Sequence, residues 1–253
     1  IWADNRSAAY AEELKKSDFG MEAYQRTGTP LHAMTPLCKL LWLKKHDSKI
    51  FTKAAKFIGV KEYVIHRLVG NYVVDYSIAS ATGLFNLKDR NWDQETLNYV
   101  GVTEKQLSEP VSPYHIEKLG ETNDLSLPKG TNLIMGASDG CLANLGSGSI
   151  TSESLAVTIG TSGAIRVCAN KIYSDPKMRT FCYILDEDTY VIGGASNNGA
   201  VVFEWLKEQF FKDFDFEAVF DEANHISEGA DGLLFYPYLL GERAPLWSST
   251  VRG

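Results

Sequence analysis

Two runs of strand-forming residues, Leu155-Ala156-Val157-Thr158-Ile159 and Ala164-Ile165-Arg166-Val167-Cys168, meet across the short segment Gly160-Thr161-Ser162-Gly163. Apolar, β-branched runs on either side of a small-residue turn predict an antiparallel hairpin. A second pair follows, Phe181-Cys182-Tyr183-Ile184-Leu185 and Thr189-Tyr190-Val191-Ile192, separated by Asp186-Glu187-Asp188. Beyond it the period changes. Residues from about Ala200 to Phe210 read as a helix capped by Asn197 or Asn198, and a further helix from Phe216 sets Val219, Phe220 and Ala223 on one face.

The first half reads mainly as helix. Asn5 to Lys16 is rich in Ala, Glu and Lys, and Thr35-Pro36 supplies a cap followed by proline at the first helical position, with Leu37, Leu40 and Leu41 recurring at helical spacing. Ser48 opens a segment in which Ile50, Phe51, Ala54, Ala55 and Ile58 trace one face, and Glu62 to Leu68 ends at Gly70. Thr103 with Gln106 makes a capping box, and Val102 staples onto Leu107. From Pro110 to Gly130 the chain is loop-like, then an apolar strand covers Asn132 to Met135. A domain change is expected shortly after it. Strand, hairpin, further strands and then a helix is the opening order of a ribonuclease-H-like domain, so the expected class is α/β.

A chain of 253 residues, 44% hydrophobic and 11% aromatic, can bury a core without disulfides or metals. Its 25 Lys+Arg against 32 Asp+Glu leave a formal net charge of −7, which argues against a general nucleic-acid or anionic-membrane surface and points to small-molecule partners. Cys38, Cys141, Cys168 and Cys182 form no C-x-x-C pair, and no histidine is spaced to complete a zinc site, so they read as reduced thiols of a cytoplasmic protein. There is no basic-then-apolar leader and no run near the roughly 20 apolar residues of a membrane helix. A chain that opens Ile1-Trp2 and stops at Arg252-Gly253 after a structured-looking run reads as an excerpt of something longer.

Chemistry concentrates at two places. Gly136-Ala137-Ser138-Asp139-Gly140 closes the apolar strand and precedes the helical-looking Cys141 to Leu145. A carboxylate on a strand-to-helix turn stands at the lip of a cleft and can take a proton from a substrate hydroxyl; the plain alternative is that Asp139 only caps the helix. In Gly160-Thr161-Ser162-Gly163 the small residues let backbone amides and two hydroxyls approach an anion, and the plain alternative is an ordinary turn. Asp4-Asn5-Arg6 and Glu242-Arg243 carry groups suited to hydroxyls or a carboxylate, or to caps and exposed ion pairs. Met34 and Trp42 read more simply as core than as pocket. The P-loop, G-x-G-x-x-G and H-E-x-x-H signatures are all absent.

The run Met34-Thr35-Pro36-Leu37-Cys38-Lys39-Leu40-Leu41-Trp42-Leu43-Lys44-Lys45-His46 resembles the first signature of the FGGY family of carbohydrate kinases. The resemblance continues through Ile1-Trp2-Ala3-Asp4-Asn5-Arg6, Asp75 to Phe85, Gly136-Ala137-Ser138-Asp139, Ile159-Gly160-Thr161-Ser162-Gly163 and Leu240-Gly241-Glu242-Arg243-Ala244-Pro245, in the family's order. The wording around Trp2 to Arg6 and Ala81-Thr82-Gly83-Leu84-Phe85-Asn86 is most similar to gluconate-phosphorylating members, with xylulose-phosphorylating members next.

The resemblance implies ATP-dependent phosphorylation of a sugar or sugar acid, gluconate to 6-phosphogluconate first among them. It implies two ribonuclease-H-like, actin-like domains, each partial, flanking a cleft: residues 1–145 as the later part of the sugar-binding domain and 146–253 as the early part of the nucleotide-binding domain. Asp139 matches the general base, Gly160 and Thr161 match a phosphate-binding motif, Ala200 and Glu204 fall against the nucleotide, and Met34 and Gly140, with Asp139, fall against the sugar. Mg²⁺ is carried by ATP, with no metal ligands on the chain. Arg6, Lys39 and Arg243 are the candidate cations for a substrate carboxylate. No nucleic-acid or membrane partner is expected, and a homodimer is the assembly left open. The family's N-terminal Asp-x-Gly-Thr loop and C-terminal Gly-rich adenosine motif are missing, as an internal segment would explain, and such a segment is expected to dissolve poorly alone. Two other classes remain open, a non-catalytic sugar-binding or regulatory protein and an actin-like ATPase that acts without a sugar.

Overall fold

The computed structural model describes residues 4–120, 127–239 and 241–253. Ile1-Trp2-Ala3, Leu240 and part of the Pro110–Gly130 stretch therefore lie outside the described residues.

Helix α1 (Ala8–Lys15) sits inside the expected Asn5–Lys16 segment and stops where Ser17 caps α2 (Asp18–Thr27) by accepting the Gly20 N–H at 3.1 Å. No sequence expectation covers α2. Glycine is a poor helix former, yet a Cβ at Gly20 would stand 2.0 Å from the Leu14 carbonyl oxygen, so close packing of α1 on α2 requires it. Thr35 caps α3 (Pro36–His46) as expected, accepting from the Cys38 N–H. The Ser48 segment is shorter than its apolar pattern: α4 (Ser48–Lys53) is capped by Asp47 and buries only Phe51. The chain leaves it at Ala54, and the Phe57 N–H donates to the Gln106 carbonyl at 2.7 Å, so Ala54, Ala55 and Ile58 extend no helical face. Helix α5 (Val60–Val69) ends at a left-handed Gly70, as expected.

Strand β1 (Val73–Asp75) leads directly into α6 (Tyr76–Ser80), which Asp75 caps. The antiparallel pair β2 (Phe85–Asn86) and β3 (Asn91–Trp92) precedes α7 (Gln94–Val100). The Thr103–Gln106 capping box closes a single 3-10 turn, with Val102 and Leu107 both buried. Short strands interrupt the expected loop. Strand β4 (Glu109–Val111) pairs in parallel with β1, and β5 (Ile116–Lys118) pairs with β6 (Asn132–Ile134), the expected apolar strand. Pro110 is tolerated in β4 because a two-stranded sheet is all edge.

After α8 (Asp139–Gly146) come the two expected hairpins, β7 (Leu155–Ile159) with β8 (Gly163–Ala169) and β9 (Phe181–Ile184) with β10 (Tyr190–Ser196). They merge into one antiparallel sheet of order β7-β8-β10-β9, followed by α9 (Val201–Phe210) and α10 (Phe216–Asn224). Neither Asn197 nor Asn198 caps α9. Ala200 holds that position, and the amides of Gly199 and Ala200 donate to the carbonyls of Thr161 at 3.1 Å and Gly160 at 2.7 Å, so the β7–β8 turn does the work of a cap.

The main core runs through both halves, packing Tyr24, Leu37, Leu84 and Phe85 with Cys182, Ile184 and Tyr190. Hydrogen bonds follow the same seam: Tyr24 Oη donates to the Thr180 carbonyl at 2.7 Å, the Cys182 N–H to the Gly28 carbonyl at 2.8 Å, and the Ile184 N–H to Ser80 Oγ at 3.0 Å. A smaller cluster of Cys141, Ala164, Cys168, Val191 and Trp247 seats α8 on one face of the sheet. On the other face Val157, Ile159 and Ile165 are 59%, 74% and 55% exposed, an apolar surface that nothing among the described residues covers. All four cysteines are buried and free. Among the described residues no helix is long and apolar enough to cross a membrane.

Candidate active site

Ser138, not Asp139, caps α8. Its Oγ accepts the Cys141 N–H at 3.4 Å and the Ser77 hydroxyl at 3.2 Å, while its own N–H donates to Ser77 Oγ at 3.1 Å. Ser77 is held in α6, whose fully buried cap Asp75 accepts the Ile78 N–H at 2.9 Å and pairs with Lys61 at 2.5 Å. The capping alternative for Asp139 therefore fails. Its carboxylate stands exposed at the first position of α8, where the helix N-terminus favours negative charge, and Oδ1 accepts the Gly140 N–H at 2.7 Å.

The turn Gly160-Thr161 is exposed and clamped from behind. A Cβ on Gly199 would stand 2.5 Å from the Gly160 carbonyl oxygen and 2.6 Å from the Ser162 carbonyl carbon, so only glycine lets the start of α9 press against the turn. The structure thus brings Gly160, Thr161 and Ala200 together, with Glu204 exposed one turn further along α9. Beside them a groove of about 670 Å³ opens on the apolar sheet face, bordered by Val157, Ile159, Ile165, Gly194 and Phe203.

Met34 is half-buried against the Cys141–Trp247 cluster, together with Ala137, Tyr183 and Ala244. Its N–H donates to His32 Nδ1 at 3.3 Å, and His32 Nε2 meets Ser249 Oγ at 3.1 Å, an arrangement that fits the neutral Nε2–H tautomer. Burial, then the charges of Lys15 and Arg243, push the imidazole down to about 4 despite the nearby carboxylates of Glu12 and Glu242. The sign of the consequence is fixed: an unfolded chain takes up this proton below the ordinary value of 6.5, the folded one only near 4, so stability falls as pH drops through that window. Melts at stepped pH are expected to show this loss, with a shallower slope in His32→Gln.

Arg243 donates from Nη2 to the Ser196 carbonyl at 2.9 Å, and burial pulls its pKa down, with Arg166 adding repulsion. Buried Glu242 is engaged by the fold: Oε1 accepts from the amides of Asn197 and Arg243 at 2.9 and 2.7 Å, and Oε2 from Ser196 Oγ and Asn198 Nδ2 at 2.8 and 3.0 Å. Arg6 lies bidentate on Asp4 and 4.4 Å over the Trp42 ring, and with Lys39 it borders another, smaller groove of about 180 Å³.

Arg166 carries no motif, yet it reaches the Asp139 turn. A Cβ on Gly140 would stand 3.4 Å from its Nε and 3.5 Å from its Nη2, and its Nη1 donates to Thr158 Oγ1 at 3.3 Å. The signal was the pleat: in β8, Arg166 shares a face with buried Ala164 and Cys168, the face on which α8 packs.

Comparison with known proteins adds three kinds of likeness. The profile of the FGGY family of carbohydrate kinases, N-terminal domain, matches residues 1–146. The chain is 43% identical over 274 positions to a gluconokinase of Bacillus subtilis (strain 168), covering 100% of this chain and 52% of that protein, and 31% identical to a xylulose kinase of Staphylococcus xylosus, covering 100% and 53%. It superposes on the gluconate kinase from Lactobacillus acidophilus with a TM-score of 0.93 at 38% identity, and on a ligand-bound xylulose kinase from Lactobacillus acidophilus with 0.95 at 39%, in each case over 100% of this chain and 52% of the other. The chain spans about half the length of the curated relatives it matches.

Proposed function

Because this chain belongs to the FGGY family of carbohydrate kinases, we propose that it forms the sugar-facing and phosphate-facing walls of an ATP-dependent kinase whose acceptor is a hydroxyl of gluconate. The carrying observation is the release of Asp139 from capping by Ser138, which leaves a carboxylate at the start of α8 free to serve as base. The 43% identity to a gluconokinase, against 31% to a xylulose kinase, supports gluconate. The near-equal likeness to two solved kinases, of gluconate and of xylulose, favours xylulose as the second reading.

The residues present fit the phosphates of ATP, since the exposed Gly160-Thr161 turn offers the Thr161 amide and hydroxyl, while the Gly160 N–H and carbonyl, held by Ser162 and Ala200, keep its backbone fixed. ATP brings the phosphoryl group and, on its phosphates, Mg²⁺. Asp139 accepts the proton of the attacking hydroxyl as its oxygen bonds to the γ-phosphorus; the bond from that phosphorus to the β-γ bridging oxygen breaks, and ADP leaves. Such a transfer depends mainly on positioning and charge neutralisation, which a base on one helix and a turn locked to another provide. Gly160, Thr161, Ala200 and Glu204 form the nucleotide side and Met34, Gly140 and Arg243 the sugar side. The division between two actin-like lobes falls where α8 ends, at 145–146, in a cytoplasmic enzyme.

Coupled ADP-release assays on the full-length protein with gluconate, xylulose, ribulose and glycerol test this reading. Gluconate is expected to give the highest kcat/KM. Turnover on another polyol alone would move the substrate, ADP release indifferent to any acceptor would make the protein a plain ATPase, and sugar binding without ADP release would make it a binding protein.

A further inference from the structure

We propose that Arg166 is the specificity-determining residue of this site, its guanidinium binding the carboxylate of the sugar acid while Asp139 serves the hydroxyl at the chain's other end. The inference rests on the kinase reading above and deepens it.

Gly140 adjoins the base and offers no side chain to a substrate. Arg166 fills that space, with Nε and Nη2 at 3.4 and 3.5 Å from where a Cβ would be. Adjacent Cα atoms are about 3.8 Å apart, so the guanidinium and the Asp139 carboxylate both fall within reach of one six-carbon chain. Arg166 is half-buried, its hydrogen bond goes to neutral Thr158, and no Asp or Glu among the described residues forms an ion pair with it. A partly desolvated guanidinium without an anion is unfavourable, and its planar fork matches a carboxylate bidentately.

Two neighbours sharpen the choice. Arg243, on the same wall, already donates to the Ser196 carbonyl and feels the repulsion of Arg166, so an anion beside Arg166 relieves both. The pleat separates this cation from the nucleotide side: Val157 and Ile165 look into the groove bordered by Gly194 and Phe203, whereas Arg166, one residue on, points to the opposite face, against α8. The carboxylate of the acceptor is therefore the anion it meets, in preference to the phosphates of the donor.

The test is steady-state kinetics on the full-length protein and its Arg166→Gln and Arg166→Lys variants, with gluconate, with sorbitol as the counterpart bearing CH₂OH for the carboxylate, and with varied ATP. Arg166→Gln is expected to raise the gluconate KM about ten- to hundred-fold, to leave the ATP KM within about twofold, and to erase the preference for gluconate over sorbitol. Arg166→Lys recovers part of that preference, because it keeps the charge and loses the fork. Should Arg166→Gln not fold, Arg166→Lys carries the same selectivity readout. An unchanged gluconate-to-sorbitol ratio overturns the proposal, as does a kcat loss on both acceptors with a raised ATP KM, which would assign the guanidinium to the phosphoryl group. Wild type inactive on gluconate but active on a neutral polyol sinks the substrate reading above; wild type active on gluconate with selective variants unchanged sinks this inference alone.

Discussion

Asp139→Asn in the full-length protein lowers kcat by about 10²- to 10⁴-fold, the range lost with a positioned base, and leaves the KM values for sugar and ATP within a few-fold. Asparagine keeps an Oδ1 to accept the Gly140 N–H, and the cap of α8 belongs to Ser138, so helix and melting temperature stay as they are. Steady-state ADP release alongside a thermal melt separates the two effects. Unchanged kcat would take the base away from Asp139, and a lowered melting temperature would turn the loss into one of stability.

The second large effect is expected far from the base. In Gly199→Val the new Cβ meets the Gly160 carbonyl oxygen at 2.5 Å and the Ser162 carbonyl carbon at 2.6 Å, both backbone atoms with no rotamer to yield. The turn must move. Overpacking of this kind costs about 1–3 kcal/mol, and because it falls on the phosphate turn, the ATP KM is expected to rise about ten-fold or more while the sugar KM holds. Gly146→Ala is the matched control, since nothing lies within 4 Å of its missing Cβ. Nucleotide titration of both variants decides the matter: wild-type ATP affinity in Gly199→Val would remove the turn from the phosphate site.

Features written within a few neighbouring residues were legible in the sequence. Thr35-Pro36, Gly70 and the hairpin around Gly160–Gly163 depend on caps, a left-handed glycine and strand-forming runs, and all appear as read. What escaped was decided by contacts distant in sequence. Gly20 looks like a helix breaker until Leu14 packs against it, and Pro110 looks like loop until β1 pairs with it. The start of α9 takes its hydrogen bonds from a turn some forty positions upstream, which no local rule for asparagine caps foresees. At the site, Asp139 and Gly160–Thr161 stood out by their turns, while Arg166 lay hidden in a strand, where only the alternation of faces marked it.

The seam along β9 also decides how this sheet meets other chains. An edge strand normally presents a row of unpaired amides, the usual template for unwanted pairing. Here the outward amides of Cys182 and Ile184 are taken by Gly28 and Ser80, so that margin is sealed by the protein's own helical half. The opposite margin, β7, has no strand beyond it among the described residues, and Leu155, Val157 and Ile159 stand exposed along it. The sheet can grow in one direction only, and any added strand, native or foreign, joins it at β7.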